Sequence, residues 1–224
     1  MNIKLIGHNI HGFDLTYLRK ASIIHGTGQK FHHLIQRGYW NDVFFDTMFH
    51  WTQDRREMIS LDKLAKILGH PTGKIGNGKH FHALTQDQKE EYLTHDLHLT
   101  EFVFNKFNSD NCISDHPVIF DIETAPLPAD EIEAKIEPFN ADDVKIGNLK
   151  DPYKIEEKIE TARANHLQSK IDKAALDPAL SNVVAIGYIT DGAVELEFNE
   201  PKQLIERFWE VAGAAWSHNH QNKI

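Results

Sequence analysis

The sequence predicts an α/β (or α+β) protein built on a mixed sheet. Three observations carry this reading. Apolar runs of strand length recur, as IKLIG (3–7) and NVVAIGYIT (182–190). Segments with helical spacing of apolar residues alternate with them. An Asp191-Gly192 pair separates NVVAIGYIT from AVELEFN (193–199), which is hairpin chemistry beside a further strand at 117–128.

Residues 3–7 form a short buried strand opening into HNIHGFD. From Asp14, the residues Leu15, Leu18 and Ala21 share a helical face that ends near Gly26. DVFFDTM (42–48) reads as a second strand. Ser60 can cap the helix LDKLAKIL, and Gly69 can end it in a left-handed conformation. The glycine-rich PTGKIGNGKH (71–80) reads as a loop, in which Lys74 and Lys79 could meet phosphates. Thr85 and Gln88 make a capping box before a long helix through about Phe107. Tyr92 and Asp96 stand four apart on it, so both project from one face.

NSDNCISDHP (108–117) is polar, lacks apolar periodicity and reads as a linker. The strand PVIFDIETAPLP (117–128) follows and is closed by its prolines. Asp151-Pro152 begins a charged helix to about Ala175, with proline in the first-turn position it tolerates. The charged segment 130–175 as a whole is expected to be a solvated helix ahead of a flap over a substrate. Pro201 opens the last helix (201–213), whose apolar side is Leu204, Ile205, Phe208, Trp209 and Ala212; WSHNHQNKI reads as a polar tail.

Composition narrows the function classes. Residues 1–108 carry 13 Lys+Arg against 11 Asp+Glu, whereas 109–224 carry 11 against 22. Neither half has the basic footprint of a protein that grips duplex DNA by its phosphates, so a nucleic-acid contact should be short or bridged by metal. A single cysteine, Cys112, excludes an intramolecular disulfide and a cysteine zinc cage. The 15 histidines show no ligand spacing and read as surface or packing residues. No apolar stretch approaches ~20 residues, and no signal-peptide core is present, so a cytoplasmic protein away from membranes is expected.

The chemistry is concentrated in carboxylates. Asp121 and Glu123 stand at i and i+2 of a strand, facing one side. Two carboxylates held together repel, and a hard divalent cation with oxygen ligands, Mg²⁺ or Mn²⁺, resolves the conflict. GHNIHGFD (7–14) adds Asp14 at a strand–helix junction, with Asn9 and Phe13 nearby, and the long helix adds Tyr92 and Asp96.

Asp-x-Glu, Asn-x-x-x-Phe-Asp and Tyr-x-x-x-Asp together resemble the motifs of the DEDD 3′–5′ exonucleases, a branch of the ribonuclease H-like fold. The tyrosine places the resemblance in the subgroup that includes the proofreading domain of family B DNA polymerases. FFDTM, ISLDKLAKILGHPTGKIGNGKHFHAL and DKAALDPALSNVVAIGYITDG also look like bacterial stand-alone proteins of that group. The motif order differs: the Asp-x-Glu strand comes last here and first in the family, which looks like a circular permutation. The resemblance implies one ribonuclease H-like domain over 1–224, with the family's C-terminal part at 1–107, a linker at 108–116 and the N-terminal part at 117–224. A linker of about nine residues spans up to ~30 Å, enough for closure in one chain. A permuted monomer is therefore expected ahead of a domain-swapped dimer.

The resemblance implies metal ligands Asp121, Glu123, Asp14 and Asp96, holding two ions ~3.5–4 Å apart for phosphodiester hydrolysis. Tyr92, with an ordinary pKa near 10, suits orienting the attacking water better than general-base work. Asn9, Phe13, Thr124 and Leu127 would line the cleft for the terminal nucleotides. Phe13 suits core packing equally well. The implied substrate is a 3′ end, of single-stranded DNA first. RNA is the alternative, since the 2′-hydroxyl distinguishes the two substrates and no residue of the sequence settles the choice. An inactive nucleic-acid-binding module is the non-enzyme alternative, and the clustered acids count against it.

Overall fold

The computed structural model describes residues 3–27, 43–53, 57–71, 78–109, 113–114 and 116–221. Strands β1 (Ile3–Gly7), β2 (Phe44–Asp46), β3 (His116–Pro126), β4 (Ser181–Thr190) and β5 (Ala193–Glu197) form one sheet in the order β2–β1–β3–β4–β5. The sheet is mixed, as the sequence predicts. β1 runs parallel to β2 and β3, while β3–β4 and β4–β5 are antiparallel. The β4–β5 turn is made by Asp191 (φ 51°) and Gly192 (φ 79°), two left-handed residues in succession as a primed turn requires.

Helices cover both faces: α1 (Asp14–His25), α2 (Thr47–Thr52), α3 (Leu61–Ile67), α4 (Gln86–Phe107), α5 (Ala129–Lys135), α6 (Pro152–Ala164), α7 (His166–Ala174) and α8 (Pro201–Gln221). Strand alternation decides which residue meets which layer. Val118, Phe120 and Ile122 of β3 join Leu5, Ile186 and Tyr188 against α1 and α8. Ile119 of β3, with Ile6, Ala185 and Ile189, packs on Leu93, Leu97 and Phe104 of α4. Outside α4, α3 adds a third cluster through Leu64, Ala65, Leu99 and Val103.

The α8 side is pinned by a polar relay inside apolar packing. Trp209 Nε1–H donates to Ser22 Oγ (2.6 Å), and Ser22 Oγ–H donates to the Leu18 carbonyl (2.6 Å). A buried indole N–H without such a partner would cost ~1–3 kcal/mol.

Several elements follow their local chemistry. Gly26 (φ 66°) ends α1 and Gly69 (φ 91°) follows α3. Ser60 accepts from Lys63 N at the start of α3, and Thr85 with Gln88 closes the capping box of α4.

Four elements differ from the sequence reading. β2 ends at Asp46 because that side chain caps α2, accepting from the Met48 and Phe49 amides. The charged helix is two helices, broken at Asn165 (φ −96°, ψ 1°); α6 buries no residue, so this part is solvated as expected. The short α5 follows Pro128, with only Ile132 buried. α8 continues through the supposed tail because Asn219, 5% exposed, has a tertiary partner: its side chain accepts from Ile3 N (2.8 Å) and donates to Ile3 O (2.7 Å). The far end of α8 thus lies against the start of β1. The glycine-rich loop lies outside the described residues over 72–77, including Lys74, and 78–83 form a 3₁₀ turn.

The described residues between α4 and β3 are tied together by hydrogen bonds. Buried Asn108 accepts from Ile113 N (2.8 Å) and Ser114 N (3.3 Å) and donates to Ser114 O (3.0 Å). Among the described residues no helix is long and apolar enough to cross a membrane.

Candidate metal centre

β3 outruns its parallel neighbour. β1 pairs with it only as far as Ile6 opposite Ile119, so the edge of β3 beyond that point is open toward the β1–α1 turn. Asp121 and Glu123 lie on this stretch. Phe120 and Ile122 enter the α1/α8 core, so the two acids point to the α4 side, opposite Gly187 and Ala185 of β4. Register with β4 slips between Glu123 and Thr124, a bulge at the end of the acidic pair, where such irregularities re-aim side chains.

α4 supplies the third carboxylate. Leu93 and Leu97 pack on the sheet, and Asp96 between them is 2% exposed. One ligand oxygen from each of Asp96, Asp121 and Glu123 lies within 4.8 Å of the others. Glu123 is 8% exposed and Asp121 half-buried, so the cluster is open to solvent mainly at Asp121. Three hard oxygen donors at this spacing fit a divalent cation and leave it room for further oxygen ligands.

Close approach of α4 depends on Gly187. A Cβ there would stand 2.6 Å from Leu97 Cδ1 and 3.0 Å from Leu93 Cγ. Gly187→Val should therefore push α4, and Asp96 with it, away from Asp121. Overpacking of this kind costs about 1–3 kcal/mol. The expected result is a lower melting temperature together with roughly tenfold weaker Mn²⁺ binding by titration calorimetry, in line with losses from disturbed metal-site supports. Unchanged Mn²⁺ affinity would mean that α4 does not set the cluster.

Asp14 stands outside this set of three but beside the same strand. It opens α1, is 5% exposed, and receives a hydrogen bond from the backbone of Ile122, the residue between Asp121 and Glu123. Burial pushes its carboxyl up from 3.8 to about 7. The charge of Asp46 adds to the rise, and hydrogen bonds from its own backbone and that of Ile122 oppose it. Burial favours the protonated form of this carboxyl, and a cation beside it would favour the ionised form.

The remaining sequence candidates have varied surroundings. Tyr92, 4% exposed, lies one turn before Asp96 with its ring edge-on to Phe81 (5.7 Å) in the α4 cluster. Phe13 is half-buried, its ring 5.6 Å from Tyr17, so it packs and still presents surface. Asn9 is half-buried in a left-handed conformation (φ 62°) at the exit of β1. The Thr124 hydroxyl donates to Ala175 O (2.7 Å), tying the end of β3 to the residue after α7, and Leu127 is half-buried with its amide on Leu180 O (2.9 Å). A hollow of about 420 Å³ beside α6 and α7, lined by Phe139, Asn140, His166 and Lys170, contains none of these residues.

Sequence reasoning passed over Asp46, whose carboxylate accepts four backbone N–H bonds. Its position between a strand and a helix is an N-cap signal and could have marked it.

Fold and site together define a class: an α/β protein with a five-stranded mixed sheet flanked by helices and an acidic cluster that could hold a metal ion. No protein-family model, curated protein or solved structure matches the chain.

Proposed function

We propose that this chain is a metal-dependent 3′–5′ exonuclease of the DEDD type, acting on single-stranded DNA ends through a ribonuclease H-like core in permuted order. The observation that carries the reading is the convergence of Asp121 and Glu123 on β3 with Asp96 on α4, from opposite ends of the motif order, within one chain. Asp14 adjoining Ile122 supports a four-carboxylate set. The permutation is supported by two junctions. Asn219 holds the end of α8 on Ile3, and Asn108 closes the short path from α4 to β3. Closure within one chain favours a monomer over a swapped dimer.

Bound Mg²⁺ or Mn²⁺ ions, two in this reading, would supply an activated water and offset charge on the leaving 3′ oxygen. Asp121, Glu123, Asp96 and Asp14 would hold them. Tyr92 would orient the water from one turn before Asp96, and Asn9 and Phe13 at the β1 exit would meet the terminal nucleotides, Phe13 by stacking. Thr124 and Leu127 would flank them at the end of β3.

The test is digestion of 5′-labelled single-stranded DNA with Mg²⁺ or Mn²⁺ beside an Asp121→Ala control, read on a denaturing gel. A metal-dependent ladder shortening from the 3′ end, absent in the control, is the expected result. Cleavage of matched RNA alone would move the substrate to RNA. Cleavage of neither would leave a nucleic-acid-binding module.

A further inference from the structure

We infer that Asp46 is a positioning residue of this site: its carboxylate locks the turn between Gly7 and Asp14 and so fixes where Asn9 and Asp14 stand. The inference rests on the reading of Asp14 as a site carboxylate.

One oxygen, Oδ1, accepts from Asn9 N (3.0 Å), Met48 N (3.0 Å) and Phe49 N (3.1 Å), and Oδ2 accepts from His11 N (3.0 Å). The same group therefore caps α2 and clamps two residues of the β1–α1 turn. The turn needs a clamp for two reasons. Asn9 is held at φ 62°, in the left-handed region that asparagine enters more readily than other non-glycine residues, and its carbonyl accepts from Gly12 N (3.0 Å) and Phe13 N (2.9 Å). α1 also begins without a side-chain cap, because Phe13 occupies the capping position and offers no acceptor. Asp14 is the first residue of that uncapped helix, so its place depends on the turn before it.

His8 reinforces the same junction, with Nδ1 2.9 Å from Thr47 Oγ1 and Nε2 2.9 Å from Ile59 O. Both bonds tie the exit of β1 to α2 and the segment after it. Asp46 is 5% exposed, so its charge is satisfied by these four amides rather than by bulk water.

The two roles of Asp46 can be separated. In Asp46→Asn the amide oxygen can keep the Oδ1 partners, including the α2 cap, while its NH₂ group would face His11 N–H, donor against donor. Asp46→Ser keeps a capping oxygen for α2 on a shorter stem that cannot span the turn. Either variant should melt cooperatively, with amide exchange over 8–13 at least about tenfold faster by mass spectrometry and Mn²⁺ affinity about 10–100-fold weaker. If Asn fails to fold, Ser carries the comparison.

Unchanged exchange over 8–13 would overturn the inference, and so would faster exchange with wild-type Mn²⁺ affinity. Should the unaltered protein bind no Mn²⁺, the nuclease reading falls instead, and the exchange comparison alone decides whether Asp46 holds the turn.

Discussion

Asp121→Asn should make the metal-free protein more stable and, on the exonuclease proposal, abolish hydrolysis by the metal-loaded protein. Three carboxylate oxygens within 4.8 Å repel one another when no cation joins them. Replacing the central acid by a neutral amide relieves that repulsion in a site already closed on two sides by α4 and β4. A gain of roughly 1–2 kcal/mol, or a few degrees in melting temperature for a chain of this size, is expected in EDTA. The opposite sign is expected with metal. A ligand at 100 times its Kd stabilises by about 2.7 kcal/mol, and the variant should lose most of that increment. On the exonuclease proposal, hydrolysis of the DNA probe should fall by at least about 10²–10³-fold, the loss seen when one preorganised transition-state contact is removed. Differential scanning calorimetry with and without Mn²⁺, run beside the nuclease assay, reads all three. A variant that melts lower in EDTA, or that keeps its Mn²⁺ shift, would contradict the role given to the cluster.

Asp14→Asn should flatten the pH dependence of stability. The Asp14 carboxyl moves from 3.8 to about 7 on folding, chiefly by desolvation and further by the charge of Asp46. Between those values the folded chain holds a proton that the unfolded chain has released. Its contribution is therefore fully present below 3.8 and is lost as pH rises through about 7. Over that window the metal-free protein should lose on the order of a few kcal/mol from this group alone. The asparagine variant keeps an acceptor for Ile122 N–H and carries no such loss, so at pH 8 in EDTA it should be the more stable chain. Added Mn²⁺ should reverse the ranking, because a cation favours the ionised carboxylate. Urea denaturation from pH 5 to 8.5, with EDTA or Mn²⁺, measures this. Parallel pH profiles for the two proteins would remove Asp14 from the account.

Much of the fold was legible because the deciding chemistry is local. The capping box at Thr85 and Gln88, the cap at Ser60, the stop at Gly26 and the Asp191-Gly192 turn each lie within a few residues of what they control. The i, i+2 relation of Asp121 and Glu123 is likewise a property of any strand. The misread elements depended on partners far along the chain. Nothing in WSHNHQ announces that Asn219 will hold Ile3, 216 residues earlier, so the tail looked free where its first six residues complete a helix. Nothing in FFDTM says that Asp46 will reach back to Asn9 and His11.

The same division runs through the site. Sequence by itself determined the inventory: three acid-bearing segments, their place on strands and helices, and the faces on which Asp121, Glu123 and Asp96 stand, because helix and strand periods are fixed by backbone geometry. Only the tertiary structure decided the distances. Gly187 admits α4 close to the sheet, β1 ends early enough to leave the edge of β3 without a parallel partner, and burial rather than sequence neighbours raises the pKa of Asp14. Desolvation and packing depend on what surrounds a residue in space, and for these carboxylates that surrounding is brought together from both ends of the chain.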